Sequence, residues 1–128
     1  ICHELSHLKG FMREDEANFI ACLACSFSED RAFRYSGYLL GWIHATNALA
    51  DVDRDAYQKC VARLETEVRE DLARNNQFWD RYDTKTAKVA NQINDTYLKA
   101  NLQEDGVKSY GRVVDLMLAY RKLEKRGE

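Results

Sequence analysis

Two histidines and a glutamate at the start of the chain have the spacing of a zinc-binding helix. His3, Glu4 and His7 form the pattern H-E-x-x-H. Because residues four apart lie on one face of an α-helix, both imidazoles can bind a single Zn²⁺. Glu4 follows the first histidine, where its carboxylate can take a proton from an attacking water. The spacing therefore predicts a zinc site with a general base.

A hydrolytic zinc site usually has three protein ligands, so a third ligand must come from elsewhere in the chain. The next glutamates are Glu14 and Glu16. Since residues two apart on a helix point in different directions, at most one of these carboxylates can face the metal. Glu14 and Asn18 are four residues apart and share a face. From that face Asn18 can hydrogen-bond a metal-binding carboxylate or histidine.

An alternative is that the H-E-x-x-H residues bind no metal. The pattern H-E-x-x-H fixes only three positions and also occurs in helices that bind no metal, where its acidic side is simply solvated.

Cys22 and Cys25 form C-x-x-C in an apolar helical stretch, but no second pair completes a zinc knuckle. We interpret them as buried free thiols rather than redox or metal-binding groups. His44 lies among apolar residues and is predicted to be a buried histidine with satisfied hydrogen bonds, not a ligand.

Helices must position these groups, because the chain contains no proline and apolar residues recur with helical spacing almost throughout. We predict an all-α fold, a single compact bundle of about six or seven helices forming one domain over residues 1–128. Gly10 is expected to end the first helix. The predicted helices cover about residues 3–8, 14–26, 32–49, 54–65, 67–82, 83–102 and 109–125.

The bulk composition excludes some classes of protein. The net charge is −2, from 21 acidic and 19 scattered basic residues, so no nucleic-acid surface is expected. No apolar run has the length of a membrane span. The first residue is Ile1 rather than Met, and we expect the chain to be the C-terminal fragment of a longer protein.

The two chemical segments together resemble a known group of enzymes. H-E-L-S-H followed by E-D-E-A-N-F resembles the H-E-x-x-H…E-x-x-A-[ND] pattern of gluzincin metallopeptidases, which include prenyl-protein membrane proteases. The resemblance implies Zn²⁺ as cofactor, Glu14 as the third ligand and Asn18 as its supporting residue. Only six residues separate His7 from Glu14, fewer than in many gluzincins, and Gly10 can turn the chain within that length.

A closer resemblance extends over most of the chain. Residues 2–19, 34–39, 94–101 and 106–116 resemble a bacterial family of uncharacterised multi-pass membrane proteins with a metallopeptidase-like C-terminal region. This implies a membrane-embedded parent whose transmembrane helices precede the present chain. The present domain would be soluble, and its reduced-looking cysteines favour the cytoplasmic face. The resemblance implies no particular substrate.

A metallopeptidase also needs a donor that stabilises the oxyanion of the tetrahedral intermediate. We take Tyr38 and Arg112 as the candidates, with Tyr35 and Tyr110 as alternatives. The tyrosines can equally be amphipathic residues at the edge of the core, and Arg112 can pair with Asp115.

These residues predict a zinc metallopeptidase that hydrolyses a peptide or protein substrate, with His3, His7 and Glu14 as ligands and Glu4 as base. The alternative is a non-catalytic zinc-binding or helical sensor and interaction domain of a membrane protein. We expect Zn²⁺ in the intact protein, whereas the isolated fragment can lack it because His3 lies at a chain end that can fray. We expect the fragment to be inactive, because it lacks the scaffold that precedes it in the intact protein.

Overall fold

A computed structural model describes residues 1–81 and 112–127 of the chain. Within those ranges every regular element is a helix, which confirms the predicted all-α class. The helices are α1 (Cys2–Leu8), α2 (Glu14–Ser26), α3 (Arg31–Val52), α4 (Arg54–Ala62), α5 (Thr66–Asp80) and α6 (Val113–Glu124). The predicted helix over residues 83–102 lies outside the described residues. None of the six helices is both long and apolar enough to cross a lipid bilayer.

Short polar side chains determine where two of the helices begin. The Asp30 carboxylate accepts hydrogen bonds from the backbone N–H groups of Ala32 and Phe33, at 2.7 and 3.1 Å, and so caps α3. Asp53 caps α4 in the same way, since its Oδ1 accepts from the N–H of Ala56 at 2.9 Å. Each cap satisfies backbone donors that have no partner inside the helix.

Two helix ends differ from the prediction by three residues each, and α6 begins at Val113 rather than near residue 109. α3 continues to Val52 rather than ending at residue 49, and it stops immediately before the cap of the next helix. α4 ends at Ala62 instead of continuing to residue 65. There the N–H groups of Arg63 and Leu64 each bond to the carbonyl three residues earlier, so the last turn tightens and the helix stops.

The described chain divides into two compact units. Of the described residues, the first unit contains residues 1–52 and 112–127, and the second contains residues 53–81. In the first unit, α2 packs against α1, α3 and α6. The buried apolar side chains are small or medium in size, which lets these helices approach one another closely: they are Ala17, Ala21, Cys22 and Val113. α4 and α5 belong to the second unit, and the prediction of one domain over 1–128 stays a prediction.

Gly37 lies where α3 comes very close to α2. A Cβ at this position would lie 2.6 Å from Cys25 Cβ and 3.0 Å from the Cys22 carbonyl oxygen. We expect Gly37→Ala to lower the free energy of unfolding by about 2 kcal/mol, because the helices must separate to admit the methyl group. Urea unfolding followed by circular dichroism measures this loss.

Gly41→Ala is the matched control for this prediction. Its Cβ would meet the terminal methyl of Met117 at 2.9 Å, and a thioether chain can rotate away. The control should therefore cost less than about 1 kcal/mol. Equal losses for the two variants would contradict the close approach of the α2 and α3 backbones at Gly37.

Candidate metal centre

A tight turn reverses the chain immediately after α1. Gly10 has φ +97°, a left-handed conformation that favours glycine. Its N–H bonds to the His7 carbonyl at 2.9 Å, and the N–H of Phe11 bonds to the Ser6 carbonyl at 3.1 Å. These two bonds form a Schellman motif, which satisfies carbonyls at the end of the helix. The predicted role of Gly10 is therefore confirmed.

The turn brings α1 alongside the first turns of α2. Ser6 is buried, and its hydroxyl donates to the Cys2 carbonyl one turn earlier, at 2.8 Å. Ala17 of α2 is fully buried. The two helices pack against each other, and Glu14, the first residue of α2, faces the histidine side of α1.

His3, His7 and Glu14 meet in one cluster, as predicted for three ligands. The Nε2 atoms of the two histidines are 3.0 Å apart. One Glu14 carboxylate oxygen lies 3.3 Å from His3 Nε2, and the other lies 3.5 Å from His7 Nε2. The three side chains are 25%, 23% and 19% exposed, so the cluster is largely shielded from solvent but still accessible to it.

The outer nitrogen of each ring is held by an acceptor. His3 Nδ1 lies 2.9 Å from the Asn18 side-chain oxygen, and His7 Nδ1 lies 2.8 Å from the Phe11 carbonyl oxygen. A carbonyl oxygen only accepts hydrogen bonds, so each Nδ1 must carry the proton and donate it. In the neutral rings, both Nε2 atoms therefore present lone pairs to the centre of the cluster.

The electrostatics of this arrangement favour a cation. Two nitrogen lone pairs and a carboxylate converge within about 3.5 Å of one another, which is repulsive unless a positive charge lies among them. Zinc bonds of about 2.0–2.1 Å to nitrogen and oxygen at tetrahedral angles would separate the ligand atoms by about 3.3 Å. The two Nε2 atoms are 3.0 Å apart, and each lies 3.3 or 3.5 Å from a different Glu14 oxygen, so the separations are close to that spacing. The donor set, two imidazoles and one carboxylate, is one that Zn²⁺ accepts.

Glu4 lies beside the cluster and is exposed to solvent. One of its carboxylate oxygens is 4.0 Å from His3 Nε2, and the side chain is 78% exposed. Glu4 is therefore close enough to accept a proton from a water molecule at the cluster, but it is not one of the three converging groups. Glu16 makes a different contact, with Arg13 Nε at 3.8 Å, so the structure selects Glu14 rather than Glu16 for the cluster.

Sequence reasoning missed the burial of Asp15, the residue after Glu14. Its side chain is only 4% exposed, and its two oxygens accept from Arg13 Nε and Nη2 at 3.2 and 3.0 Å. This forked ion pair sits in the first turn of α2, where a negative charge also favours the helix dipole. The acidic run at residues 14–16 signalled a helix start, but not which of its members would be buried.

The described candidates for the oxyanion donor lie on α3 and at the start of α6, whereas the cluster lies on α1 and α2. Tyr38 of α3 is 64% exposed and lines a cavity of about 460 Å³ between α2, α3 and α6, together with Phe19, Trp42 and Met117. Arg112 is exposed and lies at the N-terminus of α6. Tyr35 of α3 is 41% exposed, and Tyr110 lies outside the described residues. An oxyanion role for any of them stays a prediction.

His44 is not part of the cluster. It lies in the middle of α3, where burial lowers the pKa of its imidazole and favours the neutral form. Among the residues that the structure describes, its Nε2 is buried without a hydrogen-bond partner. The prediction of a core histidine with satisfied hydrogen bonds is therefore wrong as regards Nε2, and the residue is half-buried rather than fully buried.

Comparison with known proteins supplies the family. A family model described as "Protein of unknown function (DUF3810)" matches residues 1–118. The chain belongs to this family. No curated protein and no solved structure matches the chain. The match covers α1 to α5 and the first half of α6, so the whole histidine–glutamate cluster of this DUF3810 chain lies within the family region.

Asn18 should matter to metal binding in this DUF3810 chain although it is not a ligand. Asn18→Ala removes the acceptor that holds His3 Nδ1, so the imidazole can rotate and its Nε2 becomes a weaker ligand. We expect zinc affinity to fall by about 10–100-fold. Competition with a chromophoric chelator measures the affinity. Asn47→Ala, at an exposed position of α3, is the control, and equal affinities for the two variants would contradict the role of Asn18.

Proposed function

We propose that this domain is a zinc-dependent metallopeptidase of gluzincin type. The observation that carries the proposal is the convergence of His3 Nε2, His7 Nε2 and the Glu14 carboxylate while each outer nitrogen is held by an acceptor. A cluster of this kind binds a cation in one orientation with little rearrangement. The resemblance to the H-E-x-x-H…E-x-x-A-N pattern supports the same assignment.

The residues then take separate roles. His3, His7 and Glu14 hold the metal, and Asn18 and the Phe11 carbonyl fix the two rings. When bound, zinc would polarise the scissile carbonyl and lower the pKa of an attacking water. Glu4, on the solvent side, accepts the proton of that water and passes it to the leaving amine.

The remaining predictions belong to this proposal. Tyr38 or Arg112 would donate a hydrogen bond to the developing oxyanion once a peptide is bound.

We further propose a membrane-embedded parent protein. Support comes from the resemblance to multi-pass membrane proteins and from apolar side chains exposed around α1: Ile1, Leu5, Leu8, Phe11 and Met12 are 45–85% exposed. Fractionation of the full-length protein between membrane and soluble extracts tests this placement.

One observation favours a second, non-catalytic function. α1 has seven residues, too few for a stable helix without tertiary support. A metal held between α1 and Glu14 would fasten this helix to α2 and would stabilise the fold without any hydrolysis. In that case the domain would be a zinc-stabilised sensor or interaction module.

Hydrolysis by the full-length protein separates the two functions. The zinc-loaded protein is incubated with a peptide library, and cleavage is followed by mass spectrometry. The metallopeptidase proposal predicts products that disappear on chelation and return when zinc is added. Stoichiometric zinc with no cleavage of any library peptide would favour the non-catalytic module instead.

A further inference from the structure

Two thiols from different helices meet beside the metal centre. Cys2 begins α1, and Cys25 lies in the last turn of α2, 23 residues later in the chain. Cys25 Sγ donates a weak hydrogen bond to Cys2 Sγ at 3.5 Å. Both residues are partly exposed, and both are free thiols. An oxidant in solution can therefore reach the pair.

The neighbouring C-x-x-C pair is a poorer candidate for oxidation. Cys22 is 7% exposed and faces α3, with its sulfur 4.0 Å from where a Cβ at Gly41 would lie. Burial raises the pKa of the Cys22 thiol to about 11, and burial also raises the pKa of the Cys25 thiol. Thiol–disulfide exchange requires a thiolate, so a bond between Cys22 and Cys25 would have to form between two thiols of raised pKa, one of them buried.

We propose that Cys2 and Cys25 form an oxidisable pair, which a small-molecule disulfide converts into a disulfide bond between α1 and α2. The two sulfurs must approach from 3.5 Å to about 2.05 Å, a movement that side-chain rotation and a small shift of a short helix can supply. The sequence analysis predicts no redox pair among the cysteines, and the structure brings Cys2 and Cys25 together.

The reaction is a double exchange. One protein thiolate attacks the oxidant, breaks its S–S bond and releases one small thiol, which leaves a mixed disulfide on the protein. The second protein thiolate then attacks that mixed disulfide and releases the second small thiol. Two protein thiols lose two protons and two electrons in total, and the oxidant gains both as two thiols.

The bond would link the first residue of α1 to the far end of α2. Cys2 precedes His3, so the oxidised form would hold the start of the histidine helix against fraying. This inference rests on the contact between the two sulfurs and stands whether or not the cluster binds zinc. Its test therefore uses a readout that involves no metal.

The experiment treats the intact chain, carrying Cys60→Ser to remove an exposed thiol of the second unit, with oxidised glutathione. Trypsin cuts after Lys9, Arg13 and Arg31, so a 2–25 bond joins two peptides, whereas a 22–25 bond stays within the peptide spanning 14–31. Mass spectrometry without reduction distinguishes these products. We expect the joined pair to be the main oxidised species, with and without a chelator present.

Three single variants in this background complete the test. Cys2→Ser and Cys25→Ser should each lower the yield of joined peptides by at least about tenfold, while Cys22→Ser should leave it within about twofold. Circular dichroism confirms that each variant is folded. A bond confined to the 14–31 peptide, loss of the joined peptides in Cys22→Ser, or no bond in any folded sample would overturn the proposal.

Discussion

Alanine at position 7 should deprive the domain of tightly bound zinc. His7 supplies one of three converging groups, and its ring is fixed by the bond between Nδ1 and the Phe11 carbonyl oxygen. His7→Ala leaves His3 and Glu14 to hold the metal alone. Because loss of a mere supporting partner costs about 10–100-fold in affinity, we expect loss of a ligand to cost at least about 100-fold.

Metal content after dialysis and chelator competition measure this effect. The unaltered protein should retain one zinc per chain, and His7→Ala should retain little. His44→Gln is the matched control, since it removes an imidazole from α3 without touching the cluster, and it should bind zinc as the unaltered protein does. Tight stoichiometric binding of zinc by His7→Ala would show that the metal does not bind at the histidine–glutamate cluster.

Glu4→Gln should abolish hydrolysis and leave zinc binding intact. Glutamine preserves the size and polarity of the side chain but accepts no proton from water at neutral pH. The Glu4 carboxylate lies 4.0 Å from His3 Nε2 and is not one of the three converging groups. The substitution should therefore leave the affinity for zinc unchanged. Loss of a general base lowers the rate by about 10²–10⁴-fold.

This comparison uses the full-length protein with a peptide that the unaltered form cleaves. Rates and metal content are measured on the same samples. Glu29→Gln, at an exposed position between α2 and α3, should change neither quantity. Full activity in Glu4→Gln would refute its role as the base, and loss of zinc would instead assign Glu4 as a ligand.

Much of the fold could be predicted because local chemistry determines it. The start of α2 at Glu14 and the stop of α1 before Gly10 follow from helix signals that a sequence carries directly. The histidine pair could be predicted for the same reason, since a spacing of four on one helix needs no tertiary information. Glu14 was harder, because its distance from the histidines depends on the geometry of one turn.

Contacts between distant residues could not be predicted in this way. Nothing in the sequence pairs Cys2 with Cys25, because their meeting depends on how α1 lies along α2. The burial of Asp15 also depends on packing, as its neighbours Glu14 and Glu16 carry the same charge but remain more exposed. The acceptor for His7 is a backbone oxygen, which any residue at position 11 supplies and which therefore leaves no mark in the sequence.

The turn after α1 gives a sharper way to search genomes for sites of this kind. Since Phe11 contributes its carbonyl and not its side chain, a search should leave position 11 open and require glycine at position 10. The cluster then corresponds to H-E-x-x-H-x-x-G-x-x-x-E-x-x-x-N, with six fixed positions instead of three. Such a pattern would retrieve chains whose histidines are already oriented, and would pass over helices that match H-E-x-x-H by chance.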